Sequence, residues 1–269
     1  MNWLFNPRII LFILVFIYLL DTAILPMIKT SIELQYSLNI LEPFLLITTK
    51  GYFASFLPLL FAMLMSDFPS NEQSTIFFNV RISKRKWLTS QWIFSLMVTI
   101  TTLLFFLVVT VIMTLKNGYF ANVWSYYTTL TSKNYPEIFN NSNNIFLEKN
   151  LYLQAYPFDA FIKIISLFCL YMQWICSILI FFKLINKRML GIIFVFIEII
   201  GGMITWGLVS NIMWLFPMAN AVFSWHYIDF LSQESIPLWY SYLYFSVPIL
   251  ILNILNFIMV KKYNFIDEI

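Results

Sequence analysis

The chain has 269 residues, of which 61% are hydrophobic and only 11% carry a charged side chain. Soluble domains carry about 25% charged residues, so this composition excludes a soluble globule and predicts an all-α membrane protein with several spans. The formal net charge of +3 identifies no partner, because in membrane proteins the placement of charge matters more than its sum.

Six apolar segments follow one another along the chain, and a helix needs about 20 apolar residues to cross the hydrocarbon core of a bilayer. Lys50 and Gly51 interrupt the start of the second segment, and Pro58 lies inside it. We therefore predict one membrane domain over residues 1–269, with spans at about 9–28, 46–66, 88–115, 164–182, 189–212 and 239–260.

Six spans place both termini on the same side of the membrane. The loops and chain ends on that side carry ten Lys and Arg residues, against six on the opposite side. The positive-inside rule assigns the richer side to the cytoplasm. We therefore expect both termini in the cytoplasm and the long loop 116–163 outside the membrane.

The polar stretch after the second span, SDFPSNEQSTIFFNV over residues 66–80, predicts a short cytoplasmic helix at about 70–80. Ser70 is followed three residues later by Gln73, which is the pattern of a capping box. The helix then carries bulky apolar residues outside the main bundle, including Phe77 and Phe78. Two adjacent phenylalanines on a polar loop need a cover, either lipid headgroups or the groove of a partner.

Four basic residues follow within six positions: Arg81, Lys84, Arg85 and Lys86. Anchoring a cytoplasmic loop is enough to explain this charge. Anchoring does not explain why apolar residues such as Phe77 and Phe78 stand just before these basic residues.

The same stretch resembles a known family. An acidic residue (Glu72) on a short helix after the second of six spans, followed by the run RISKRKW over residues 81–87, is similar to ABC-2 type transporter permeases, the membrane subunits of ABC exporters. In that family the short helix is the coupling helix, which seats in a groove of the ATP-binding subunit. The resemblance implies that the contact with an ATPase subunit involves Glu72, Ile76, Phe77, Phe78, Arg81, Lys84 and Arg85.

A second similarity lies in MWLFPMANAVF, residues 213–223. It resembles the re-entrant segment of the family between spans five and six, which turns at a proline, here Pro217. The family implies a permease dimer, either of two copies or of two homologous permeases, with separate ATPase subunits in a bacterial cell membrane. It also implies export of amphipathic peptides or lipid-like compounds, with resistance to antimicrobial peptides as a common role.

The chain carries no phosphate-binding loop of its own, since none of its six glycines stands in the arrangement GxxxxGK[ST]. ATP and Mg²⁺ are therefore expected in a partner subunit, and we predict no catalytic or cofactor-binding residues and no nucleic acid partner. His226 and Asp229 lie three residues apart on one helical face, but one histidine and one carboxylate are too few for a zinc site. We therefore predict no metal site.

Glu198 in the fifth span is the strongest intramembrane candidate, because a carboxylate at that depth is costly unless it is paired, neutralised or facing water. It could line a transport path together with Pro217 and Pro248, or bond a neighbouring helix. Gly201 and Gly202 would let another backbone approach closely, at a dimer seam or within the chain. The alternatives to an ABC permease are an ion-coupled secondary transporter that uses Glu198 and an accessory membrane subunit.

Overall fold

The computed structural model describes residues 7–69, 83–134, 145–208, 211–228 and 233–263. Within these residues five helices are long and apolar enough to span a membrane. They are α1 (Pro7–Glu33), α4 (Lys84–Thr114), α7 (Pro157–Leu184), α8 (Arg188–Gly207) and α10 (Leu238–Met259). A bent pair, α2 (Glu42–Thr49) and α3 (Phe53–Leu64), is the sixth candidate. The prediction of a multi-pass helical membrane protein is confirmed to this extent.

The spanning helix α1 is longer than the predicted segment 9–28, and it contains a π-helical turn at Leu20–Ile24. Pro26 stands in the first turn of the α-helical part that follows, Leu25–Glu33. A proline has no N–H and its ring clashes with the carbonyl four residues earlier. The wider π turn just before Pro26 relieves this conflict without ending the helix.

The second predicted span, 46–66, is not one straight helix. The chain bends by 82° between α2 and the helix that runs over Phe53–Asp67, and α2 begins at Glu42 instead of residue 46. The bend lies at Lys50 and Gly51, where the sequence indicates an interruption. Gly51 has φ +39°, and a Cβ built on it would lie 2.9 Å from the ring of Trp206 at the end of α8. Only glycine suits both conditions.

Helix α7 is the central helix of the described bundle. In its most apolar stretch 61% of the residues are buried, against 11–28% in the other four single spanning helices. Its polar side chains bond three neighbours, as small and polar residues do in membrane bundles. Gln173 bonds Ser95 and Thr99 of α4, at 3.1 and 2.8 Å. Ser166 lies 2.6 Å from the hydroxyl of Tyr242 on α10. Trp174 bonds Glu198 of α8.

Shorter elements lie between the spanning helices. The strands β1 (Leu38–Asn39) and β2 (Gly118–Tyr119) pair in parallel, and two helices follow β2, α5 (Tyr126–Asn134) and α6 (Lys149–Tyr152). The predicted outer loop 116–163 is therefore partly ordered into helices, and α7 already begins at Pro157.

The connection between α8 and α10 contains one further short helix, α9 (Pro217–Ala221), between the 3-10 turns Asn211–Leu215 and Phe223–His226. A small antiparallel pair follows, β3 (Tyr227–Ile228) and β4 (Gln233–Glu234). All five residues of α9 are buried, so this connection packs into the bundle.

Candidate functional site

Most of the predicted coupling residues, namely Glu72, Ile76, Phe77, Phe78 and Arg81, lie outside the described residues, as does the whole predicted helix at 70–80. Lys84 and Arg85 are described, and they lie in the first turn of α4. Ser83 caps this helix, because its hydroxyl oxygen accepts the N–H of Lys86 at 3.4 Å.

The start of α4 is fastened to the end of α10. Lys84 Nζ donates to the backbone carbonyl of Lys261 at 3.1 Å. The guanidinium of Arg85 lies 5.2 Å from the centre of the Phe257 ring, within the range of a cation–π contact. The ring of Trp87 stacks on Tyr263 at 6.2 Å. Lys84 and Arg85, two of the predicted contacts with an ATPase subunit, therefore also hold the first turn of α4 against the last turns of α10.

The other side of the undescribed segment 70–82 is fastened as well. Asp67, just after α3, forms ion pairs with Arg8 at the start of α1 and with Arg188 at the start of α8. Arg188 also donates to the carbonyl of Ser66 at 2.8 Å. This arginine–aspartate cluster joins the ends of three helices. Sequence analysis missed it, because nothing in the local pattern links residues 8, 67 and 188.

Glu198 lies on α8 and faces α7. Trp174 Nε1–H donates to its Oε2 at 3.0 Å. This contact matches the structural alternative for Glu198, in which the carboxylate bonds a neighbouring helix. Pro248 lies inside α10, which continues as one helix from Leu238 to Met259.

We expect the bond between Trp174 and Glu198 to contribute about 1 kcal/mol to the free energy of unfolding, the usual scale for polar contacts between membrane helices. Glu198→Leu and Trp174→Phe should each remove it, so their combined effect should be clearly smaller than the sum of the two. Glu198→Gln keeps an acceptor oxygen and should stay close to the wild-type value. Reversible unfolding in bicelles measures the wild type, the three single variants and the double variant. Additive effects of Glu198→Leu and Trp174→Phe would show that the bond stabilises nothing.

Gly201 and Gly202 allow the close approach that the sequence indicates, and the approaching element belongs to the same chain. A Cβ on Gly202 would lie 2.6 Å from Cβ of Met218 on α9, and one on Gly201 would meet the ring of Phe216. Pro217 stands at the start of α9 between these two contacts. The segment around Pro217 is therefore seated directly on α8.

A row of buried, hydrogen-bonded polar side chains fixes the end of the Pro217 segment that leads toward α10. Asn220 donates from Nδ2 to the carbonyls of Trp214 and Phe216, at 3.0 and 3.1 Å. Its Oδ1 accepts the hydroxyl of Ser241 at 2.8 Å. The Ser241 hydroxyl also lies 3.2 Å from Nε2 of His226. The fold thus ties the connection between α8 and α10 to the first turn of α10.

His226 lies in this row of polar side chains with its Nδ1 at 2.9 Å from the carbonyl of Ile236. Burial lowers the pKa of His226 below its ordinary value, although the carbonyl of Ile236 opposes this shift. The carbonyl oxygen of Ile236 can only accept, so Nδ1 of His226 carries a proton and donates it to Ile236. Asp229 lies outside the described residues, and within the described ones no group of three His, Cys, Asp or Glu side chains could hold a metal ion.

Glu42 is a second buried carboxylate, which sequence analysis missed. Its side chain is completely buried, and it accepts two bonds of 2.7 Å from Ser125, one from the backbone N–H and one from the hydroxyl. The hydroxyl oxygen of Ser125 in turn accepts the N–H of Thr128 at 3.1 Å, so Ser125 caps α5. Glu42 therefore joins the start of α5 to the start of α2.

Comparison of the chain with protein-family models, curated proteins and solved structures gives no match.

Proposed function

We propose that the chain is the membrane permease subunit of an ATP-driven exporter of the ABC-2 type. The observation that carries the proposal is the anchoring on both sides of segment 70–82. Asp67 before the segment bonds the first residues of α1 and α8, and Lys84 after it bonds the end of α10. A force applied to this segment by a partner subunit would reach four spanning helices at once, α1, α4, α8 and α10, as coupling requires.

The same contacts support a chain that crosses the membrane six times. Arg8 lies in the first turn of α1, and Asp67 at the end of the bent pair bonds it, so the pair returns the chain to the end of the bundle from which α1 starts. Lys84 at the start of α4 and Lys261 after α10 also lie together. Both termini then share one side, and the excess of Lys and Arg on that side argues that it is the cytoplasm.

The segment around Pro217 and α9 is proposed to act as the re-entrant element between spans five and six. Its close packing on Gly201 and Gly202 and its buried bonds to Ser241 support a rigid plug next to α8 and α10. Movement of either helix would then displace it. Together with Glu198 and Pro248 it would border the transport path.

The proposed partners are a separate ATPase subunit, which binds ATP and Mg²⁺, and a second permease in the same bacterial cell membrane. The substrates best suited to such a subunit are amphipathic peptides or lipid-like antimicrobial compounds, as the family resemblance implies. The chain itself contributes no ATPase site and is not an enzyme under this proposal.

We expect the double substitution Phe77→Asp, Phe78→Asp to abolish capture of the ATPase subunit, because two carboxylates would have to enter an apolar groove. The experiment is a pull-down of the tagged chain from its native membranes, with ATPase activity measured on the eluate. The wild-type chain should retain an ATPase, and the double variant should insert normally but elute without it.

The matched control is Phe120→Asp, Tyr126→Asp. These two aromatic side chains are 68% and 69% exposed and lie in the predicted outer region, so this variant should capture the ATPase as the wild type does. If the wild-type chain brings down no ATPase, the proposal fails. The ion-coupled alternative then becomes the leading one, and it predicts transport by the purified chain under an ion gradient that Glu198→Gln abolishes.

A further inference from the structure

Basic residues from two distant parts of the chain meet where α4 begins and α10 ends. Lys84 Nζ donates to the carbonyl of Lys261 at 3.1 Å. The positive groups of Arg85 and Lys261 lie 5.2 and 5.6 Å from the centre of one ring, that of Phe257. The set, which we call the α4–α10 basic patch, consists of Lys84, Arg85 and Lys86 in the first turn of α4 and of Lys261 and Lys262 just after α10.

Within the described residues, no carboxylate balances the charge of this patch. The ion pairs there use Asp67 and Asp159, and both carboxylates pair with other cations. Four residues of the patch are exposed, and Lys84 is half-buried. The N-terminus of α4 adds a partial positive charge at the same place, where further cations are unfavourable. Membrane topology favours basic residues at the end of each helix, but it does not require the two sets to meet. The patch is therefore suited to an anion.

The lengths of the two helices place the patch at the depth of lipid headgroups. Helix α10 has 22 residues, so it is about 33 Å long and matches a hydrocarbon core of about 30 Å. Helix α4 has 31 residues, about 46 Å, and extends beyond that core. Apolar side chains lie next to the patch on α10, where Ile254 and Ile258 are 60% and 51% exposed. The anion that fits this place is one that carries hydrocarbon chains.

We propose that the α4–α10 basic patch binds the headgroup of an anionic phospholipid, whose acyl chains lie along the exposed apolar side chains of α10. Ammonium and guanidinium groups donate charge-assisted hydrogen bonds to phosphate oxygens, and basic sites between spanning helices suit such lipids. The bound lipid bridges α4 and α10 and offsets the repulsion between their charges. Three residues of the patch, Lys86, Lys261 and Lys262, lie outside the predicted contact with an ATPase. The inference therefore does not depend on that partner and goes beyond transport.

The test measures lipid binding to the full-length, delipidated chain by native mass spectrometry. The probes are phosphatidylglycerol and phosphatidylcholine with identical acyl chains. Phosphatidylglycerol should bind about tenfold more tightly, because each basic side chain near an anionic lipid contributes a factor of about five. The double substitution Lys261→Gln, Lys262→Gln should reduce this preference to about twofold or less. Both lysines are exposed, so the substitution leaves the packing unchanged. Lys261→Arg, Lys262→Arg keeps both charges and should retain the preference.

The matched control is Lys29→Gln, Lys116→Gln, which removes the same charge from two exposed lysines near the other ends of α1 and α4. This variant should keep the full preference for phosphatidylglycerol. Equal affinity of the wild-type chain for the two lipids, or equal losses in the two glutamine variants, would overturn the proposal. Displacement of phosphatidylglycerol by millimolar inorganic phosphate would also overturn it, because the patch would then be a site for soluble anions and not for a lipid.

Discussion

Glu42→Leu should lower the free energy of unfolding by about 3 kcal/mol, because it leaves two donors of Ser125 without their acceptor in a buried site. The backbone N–H and the hydroxyl of Ser125 both bond the carboxylate at 2.7 Å. A leucine fills a similar volume but accepts neither bond. The N-terminal cap of α5 should loosen with it, since Ser125 also accepts the N–H of Thr128. Thermal unfolding of the detergent-solubilised chain measures the loss.

Glu42→Gln is the matched control for this prediction. The amide oxygen can accept the backbone N–H of Ser125, and its NH₂ group can donate to the Ser125 hydroxyl, whose own proton can rotate away. We therefore expect Glu42→Gln to lose less than half of what Glu42→Leu loses. Equal loss in the two variants would mean that the charge of Glu42, and not its hydrogen bonds, holds α2 and α5 together.

The second large effect is expected at the contact between α8 and α9. Gly202→Ala should cost about 2 kcal/mol or more, the range of overpacked core positions. The added carbon would lie 2.6 Å from Cβ of Met218, an atom that cannot retreat unless the backbone of α9 moves. The packing of the Pro217 segment against α8 should therefore be lost before the spanning helices unfold. Protease accessibility of residues 211–226, followed together with thermal unfolding, reports both effects.

Gly207→Ala is the natural control because, among the described residues, nothing outside its own helical turn lies within 4 Å of the added carbon. It should be neutral or stabilising by up to about 1 kcal/mol, since alanine forms helix better than glycine. A Gly202→Ala protein as stable as Gly207→Ala, with an unchanged proteolysis pattern, would show that α9 does not depend on this close approach.

The positions of the spanning helices could be predicted from the sequence because each helix coincides with its own run of apolar residues. The predicted span 239–260 and the observed Leu238–Met259 differ by one residue at each end. The break at Lys50 and Gly51 was also visible, since a charge beside a glycine interrupts the apolar run. The start of that segment was misplaced, although Glu42 followed by Pro43 is a pattern typical of a helix N-terminus.

The polar contacts could not be predicted in the same way. Ser125 lies 83 residues after Glu42, and Arg188 lies 121 residues after Asp67. Partners so distant meet only through the packing of the whole bundle, which no local pattern encodes. Gly201 and Gly202 show the intermediate case. The pair indicated a close approach, but only the fold identified α9 as the approaching element.

We propose that the bent pair of α2 and α3 carries the chain across the membrane, so that six crossings place both termini together with segment 70–82 in the cytoplasm. The accessibility of terminal epitope tags and of Phe120→Cys in intact cells tests this topology. An impermeant maleimide should label Phe120→Cys in intact cells, while both tags should be detected only after permeabilisation. If a tag at one terminus is detected in intact cells and the tag at the other is not, the number of spans is odd. The bent pair then does not cross the membrane, and the permease proposal loses its basis.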